Sequence, residues 1–343
     1  MSVTILIDGQ EFTGWTSYEV ETSLLIPSDA FSLQVGKVSL ALLKQLKPGK
    51  TVVVKLDNEL VLTGQIDELQ ASQDAQATRL TVQGRDRMAA LVDCSADPAW
   101  DWRSISLMQA AQKALNYLEI AAPVKGSTVA NKVRQRMTVE PGESVWTFLE
   151  RHGRQAGQLL WWSADGILQV GTPESTEAVY ELRLDATDLT NVLSSNVRVS
   201  LSERFSSYRV IGQSGDFSAS HKPGATVKDP EITAKRPLIL VDSEATTLEA
   251  CQLRATYERE RRRAEGLTLE YVIVGHQVNG TLVRIGQTVD LYDALLGISG
   301  AYLVSQARYT GSSEDGHKTR IILRKHEALL APVPATRKSH EVL

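Results

Sequence analysis

Two β-rich stretches near opposite ends of the chain repeat one another in order, and this repeat limits the possible fold more than any other feature. Pro48-Gly49-Lys50-Thr51-Val52-Val53-Val54 is followed by a turn, then by Leu60-Val61-Leu62-Thr63-Gly64, and closes with Leu80-Thr81-Val82. Far downstream, Ile285-Gly286-Gln287-Thr288-Val289-Asp290-Leu291 leads to Tyr302-Leu303-Val304-Ser305 and closes with Ile321-Ile322-Leu323. Both copies enter the first strand through Gly-x-Thr-Val. Both place a polar loop, Ser72–Thr78 or Gly311–Lys318, before the last strand. One short match between β segments is cheap, but an ordered succession favours duplication. The repeat predicts that the segments beginning at Gly49 and Gly286 are equivalent strands of two similar barrels, each in its own sheet.

At 343 residues the chain has room for two or three domains, each with a core of its own. Short β segments run from Val3 to Arg85, including a hairpin opening at Asp8-Gly9. From about Trp100 the period becomes helical. Leu107, Ala111, Ala114, Leu115 and Leu118 follow Ser104 or Ser106 as N-cap, and Val145, Phe148 and Leu149 follow Ser144. Gly157 ends the second helix, and Leu159–Trp162 with Ile167–Val170 reads as a hairpin across Asp165-Gly166. Strands return at Asn196–Gly212. Ser214–Arg236 reads as a long Gly/Pro-rich loop of the kind used for interaction. Thr246-x-x-Glu249 then has the capping-box pattern of a helix reaching about Gly266. The expected layout is a first β-barrel over 1–97 and an α/β insert over 98–190. A second barrel with a crossing helix covers 191–330, and a loose tail 331–343. The fold class is α+β and β-rich.

The 37 basic residues against 41 acidic ones leave a net charge of −4, so no global field draws the chain to nucleic acid or acidic lipid. Cys94 and Cys251 form no disulfide framework; both read as core thiols of a protein in a reducing compartment. The N-terminus has no basic region of a signal peptide, and no apolar run approaches a membrane span.

Catalytic patterns fail on chemistry. Pro48-Gly49-Lys50-Thr51 resembles the end of a phosphate loop, but Lys44 stands where a glycine is needed. The segment also enters a strand, whereas phosphate amides need a helix N-terminus. His326-Glu327 meets Leu330 where a zinc protease needs its second histidine. The six histidines are scattered and no nucleophile elbow occurs, so no catalytic residue, metal or cofactor is expected.

Two clusters remain as candidate sites. Glu258, Arg259, Arg261, Arg262 and Arg263 are charged beyond the needs of one solvated helix face and are expected to contribute to a contact between subunits. Trp100, Trp102, Trp146, Trp161 and Trp162 all fall in the insert. There, Thr138-Val139-Glu140-Pro141-Gly142-Glu143-Ser144-Val145-Trp146 looks like the opening of a glycan-binding LysM module. Stacking on sugars is the functional reading of these rings and core packing the plain one.

A family resemblance runs along nearly the whole chain. It rests on Phe12-Thr13-Gly14-Trp15-Thr16-Ser17, Pro48-Gly49-Lys50, Val82-Gln83-Gly84-Arg85-Asp86, Leu91-Val92-Asp93-Cys94, Arg204-Phe205-Ser206-Ser207-Tyr208 and the helix from Asp242-Ser243 to Arg261-Arg262-Arg263-Ala264-Glu265. In this order they resemble the baseplate hub proteins of Mu-like contractile-tailed bacteriophages, relatives of the late-control tail proteins. The resemblance implies a homotrimer whose two barrels per chain make a pseudo-sixfold ring, adapting a hexameric tail tube to a trimeric membrane-piercing spike. It implies self, the tube protein, the spike and other baseplate proteins as partners, with no small-molecule substrate and no membrane insertion. The location would be the virion tail baseplate, after assembly in the host cytoplasm, whether in a phage, a prophage or a tailocin. The alternative function is peptidoglycan binding through the LysM-like insert, with a wall hydrolase disfavoured by the missing acid/base and metal groups.

Overall fold

Alternation builds the first half of the chain. In Thr51-Val52-Val53-Val54-Lys55-Leu56, for example, Val52, Val54 and Leu56 are fully buried while the residues between them are half-exposed. The computed structural model describes residues 3–12, 15–36, 42, 46–73, 78–128, 130–173, 177–185, 190–213, 223–242 and 245–325. They fall into two units: Met1–Asn196 with Leu269–Arg324, and Val197–Thr268 with Lys325–Leu343. The first unit opens with β1 (Val3–Ile7), β2 (Gln10–Phe12), β3 (Trp15–Ser23), β4 (Ala30–Val35), β5 (Thr51–Leu56), β6 (Glu59–Gln73) and β7 (Thr78–Asp86). Hairpins join β1 to β2 and β5 to β6 to β7, and β4 pairs with both β3 and β7.

The insert follows with α1 (Ala89–Asp93), β8 (Asp101–Ile105), α2 (Leu107–Tyr117), β9 (Val124–Gly126), β10 (Arg134–Thr138), α3 (Val145–Ala156), β11 (Leu159–Trp162) and β12 (Leu168–Gly171). Ser106, not Ser104, caps α2. Its hydroxyl accepts from Gln109 N–H while the Gln109 side chain accepts from Ser106 N–H. Ser144 caps α3 through Thr147 N–H, and Gly157 ends that helix at φ 65°. The apolar faces of both helices close over β11, β12 and the tryptophans. Cys94 departs from expectation: it is exposed at the end of α1, whereas Cys251 is buried.

Next come β13 (Ala178–Leu184) and β14 (Val192–Val199), then the second unit's β15 (Ser207–Gly212), β16 (Gly224–Lys228), β17 (Pro237–Asp242) and α4 (Leu248–Glu265). Here the expected long loop is corrected. Within Ser214–Arg236, Gly224–Lys228 pairs antiparallel with β15, because its alternate residues Ala225 and Val227 pack towards the unit's core. The same stretch buries Asp229 and Ile232, while residues 214–222 lie outside the described residues. The cap of α4 is also shifted: Thr247, not Thr246, accepts from Ala250 N–H, so Glu249 falls inside the first turn and the capping box does not form.

The chain returns to the first unit with β18 (Leu267–Val274), β19 (Gln277–Val278), β20 (Thr281–Leu282), β21 (Thr288–Asp293), β22 (Ile298–Ser312) and β23 (Gly316–Arg324). The repeat is now visible as geometry. β5, β6 and β7 have 6, 15 and 9 residues, and β21, β22 and β23 have 6, 15 and 9. Gly49 and Gly286 enter at φ 86° and 83°. Gly49 N–H donates to Ile66 O and Ile66 N–H to Lys50 O; Gly286 N–H donates to Val304 O and Val304 N–H to Gln287 O. Each long strand bulges just after that residue, between Ile66 and Glu68 and between Val304 and Gln306. Outside this cassette the copies differ: β1 is antiparallel to β5, whereas β13 is parallel to β21.

The expectation of two barrels in separate sheets, on which the inference of duplication was staked, is corrected as well, so the case for duplication stands on the matched cassette geometry alone. Both cassettes and their flanking strands belong to one 13-stranded sheet, because β3 of the first copy pairs antiparallel with β22 of the second, from Gln306↔Ser23 to Ser312↔Ser17; β19 and β20 form a separate pair. An edge strand gains by finding any ladder partner, and here the partner is the other copy. The path ends at β2 and at β14, and no closed barrel occurs among the described pairings. The tail from 331 onward lies outside the described residues.

Candidate assembly interface

The charged helix was the first candidate, and α4 organises its arginines around one carboxylate. Glu258, only 2% exposed, lies four residues after Arg254 and three and four before Arg261 and Arg262, so one helix face brings all three to it. It accepts from Arg254 Nη1 at 3.0 Å, Arg261 Nη2 at 2.9 Å and Arg262 Nε at 2.7 Å. Burial alone would raise its pKa. The hydrogen bonds and charges of Arg261, Arg262 and Arg254 outweigh that and hold it at about 2. Arg262 also reaches Glu203, Arg261 reaches Glu265, Arg259 pairs with Glu260, and Arg263 pairs with Glu231. The arginines thus serve first to tie α4 to its own unit.

The Arg204-Phe205 motif belongs to the same arrangement. Arg204 meets Asp229 at 2.8 Å and Glu231 at 2.7 Å, and the Arg236 and Arg262 guanidinium groups lie over the Phe205 ring. The apolar side of α4, Cys251 and Ala255, packs on Tyr208, Val210 and Ala245. Gly212 allows the close approach, since a Cβ there would lie 1.9 Å from Ala245 O.

Four of the five insert tryptophans spend their faces on packing. Trp100, Trp146 and Trp162 are buried, and Trp102 is half-buried and stacks on Trp100 at 4.5 Å. Trp100 and Trp102 also meet Phe148 edge-on. Trp161 is half-buried and lines a cleft of about 360 Å3 with Asp29, Arg284 and Tyr309. Arg284 spans from the second cassette to the first: it donates to Leu60 O at 2.6 Å and to Glu59 at 2.9 Å.

Buried polar groups elsewhere serve the sheet. The Tyr18 hydroxyl lies 2.6 Å from His276 Nε2 and 2.8 Å from His317 Nδ1, joining β3 to the second cassette. Burial, then the neighbouring His317, pushes His276 down to about 4. Asp86 takes Asp29 N–H, Ser28 Oγ–H and Met88 N–H; burial pushes its pKa up to about 6, and that of Asp29 is raised too. Arg85 holds Asp67 at the bulge and Asp93 at the end of α1, linking two of the motifs read from sequence. Among the described residues, no group of three or more His, Cys, Asp or Glu could hold a metal ion.

Two strand edges are bare. Residues 68–73 of β6 pair with β7 on one side and have no strand on the other among the described residues; all but Leu69 are exposed. β14 ends the sheet, with Leu193 52% and Val199 71% exposed. Neither edge was singled out by sequence; only the superposed cassettes show that β22 has a partner where β6 has none.

The chain matches "Mu phage baseplate assembly protein GpP-like, N-terminal" over residues 2–86 and "Baseplate hub protein gp44-like, second domain" over 88–172. It is 31% identical to baseplate hub protein gp44 of Escherichia phage Mu over 99% of this chain and 92% of that protein. The chain belongs to the Mu-like baseplate hub family. Two solved structures resemble this hub along their length. The tail protein from Neisseria meningitidis MC58 is 28% identical with TM-score 0.85, covering 96% of this chain and 99% of that one. The 43 kDa tail protein of prophage MuSo2 from Shewanella oneidensis is 27% identical with TM-score 0.83, covering 95% and 98%. The resemblance read from the hub's motifs is therefore borne out, as is a structural role in the tail baseplate.

Proposed function

We propose that the hub acts by assembly and not by catalysis, as a homotrimeric ring at the tip of a contractile tail. Each chain supplies two tube-like β domains, 1–97 and 191–330, with the insert 98–190 beside them. Three chains then present six similar cassettes to a hexameric tail tube on one face and threefold symmetry to a membrane-piercing spike on the other, alongside other baseplate proteins. The observation that carries this reading is the paired 6-15-9 cassette within a family of baseplate hubs. Of the charged residues of α4, Arg261 and Arg263 are the least buried arginines of the run and are available to a neighbour at the rim.

Sedimentation equilibrium over a range of concentrations, with negative-stain images of the heaviest species, tests this. A species of three chain masses with six-lobed projections is expected. A stable dimer or tetramer overturns it.

A further inference from the structure

We propose that the hub chains join by strand addition: β14 of one copy lies antiparallel along the bare edge of β6 of a second copy, with Glu68 opposite Ser200. This rests on the ring reading above and specifies its contact. The chain itself contains the precedent. In the second cassette, residues 306–312 of β22 take β3 on one edge and β23 on the other. The equivalent residues of β6 have only β7. The equivalent of β3 is β14, since β3 precedes and pairs β4, which pairs β7, just as β14 precedes and pairs β18, which pairs β23.

The register follows from matched hydrogen bonds. Ile66 corresponds to Val304 by its bonds to the cassette entrance, so Glu68 corresponds to Gln306. Phe31 opposes Gly84 as Leu269 opposes Leu323, and each opposed residue lies across from the matched Ile66 or Val304. Gly266, whose carbonyl accepts from Ser200 N–H, therefore stands in the place of Ser28. Extending the β3/β4 register by two residues puts Ser200 in the place of Ser23, the partner of Gln306.

With Ser200 opposite Glu68, Val199 faces Leu69, Arg198 faces Gln70 and Val197 faces Ala71. The side chains suit that alignment. Val199, 71% exposed, takes the place of Thr22, which is 4% exposed where it meets Ala307. Gln306 hydrogen-bonds to Glu21 diagonally across the internal junction; at the junction between copies the same two places hold Glu68 and Arg198. An amide–carboxylate contact becomes an ion pair, and neither Glu68 nor Arg198 has an ion-pair partner among the described residues of its own chain. Bare edges of this length are templates for a further strand, and backbone pairing with alternate side chains in register is a standard mode of docking. Each copy carries one β14 and one β6 edge, so the contact is head-to-tail and closes into a ring when the rotation closes.

The experiment uses the full chain. Arg198→Glu and Glu68→Arg singly are expected to weaken self-association by about tenfold, and the double variant, which restores opposite charges, to recover it. In a Cys94→Ser background, Leu69→Cys with Val199→Cys is expected to give disulfide-linked dimers and trimers under mild oxidation, because directly opposed residues lie within bridging distance. A trimer in which the cysteines do not cross-link and the charge reversal does not rescue overturns the strand register while leaving the ring intact. A chain that stays monomeric and uncross-linked at all concentrations overturns both.

Discussion

Glu258→Gln separates charge from shape at the centre of the α4 network. Three guanidinium groups converge on this carboxylate, which is 2% exposed. The interval between its ordinary 4.5 and about 2 corresponds to about 3 kcal/mol, at roughly 1.4 kcal/mol per pH unit. That agrees with the ~3–5 kcal/mol typical of removing one partner of a buried pair. The amide keeps the volume but accepts weakly and leaves three cations facing each other. With a urea slope on the order of 1 kcal/mol/M for so small a unit, its midpoint should fall by about 2–3 M. The assay can resolve the units, because all six tryptophans, Trp15 to Trp162, lie in the first. Far-UV dichroism and amide exchange in α4 should therefore show an early transition while tryptophan fluorescence keeps its wild-type midpoint. The pH sign is fixed by the depressed carboxyl. Its stabilisation is complete above about 4.5, drains away as pH falls towards about 2, and should be missing from the glutamine variant. If the variant unfolds at the wild-type midpoint by every probe, with unchanged acid sensitivity, the carboxylate is not what the arginines are built around.

Gly84→Ala should be among the most damaging single-methyl changes, since its Cβ would sit 2.0 Å from Gln65 O and 2.5 Å from Phe31 Cζ. A loss of about 3 kcal/mol or more by chemical denaturation is expected, against little effect for Gly171→Ala, whose Cβ would meet nothing nearer than 3.5 Å. At His276 the folded pKa, about 4, lies below the ordinary 6.5, so the unfolded chain takes up the proton first and stability falls with pH between those values. Removing this group with His276→Gln should shrink the loss between pH 7 and 4.5 by about 2 kcal/mol in paired urea titrations; the raised Asp86 titrates with the opposite sign in both proteins and cancels in the difference.

What could be read from sequence was whatever a single residue type must do locally. Gly49 and Gly286 were visible because both turns need a positive φ that only glycine adopts freely, and Ser106, Ser144 and Gly157 because a helix end needs a short acceptor or a left-handed residue. The pairing of β3 with β22 was not visible. It is set by which edge lies within reach once the cassettes fold, and no residue type encodes that distance. Strand β16 was hidden for a related reason: only Ala225 and Val227 face inward, too few to offset the Gly and Pro around them in a count of composition. The arginine run was noticed, yet the residue that gives it meaning is the glutamate placed among them at i+4, i−3 and i−4, a spacing that was there to be read. The two cassettes agree in strand length, entry bonds and bulge position while their flanking strands, β1 and β13, run in opposite senses. Flanks are free to vary when each serves only its own copy. In the proposed ring, the long strand and its bulge set the angle at which the next strand is added, and a ring built from two kinds of junction closes only if those angles match, which would hold both copies to one geometry.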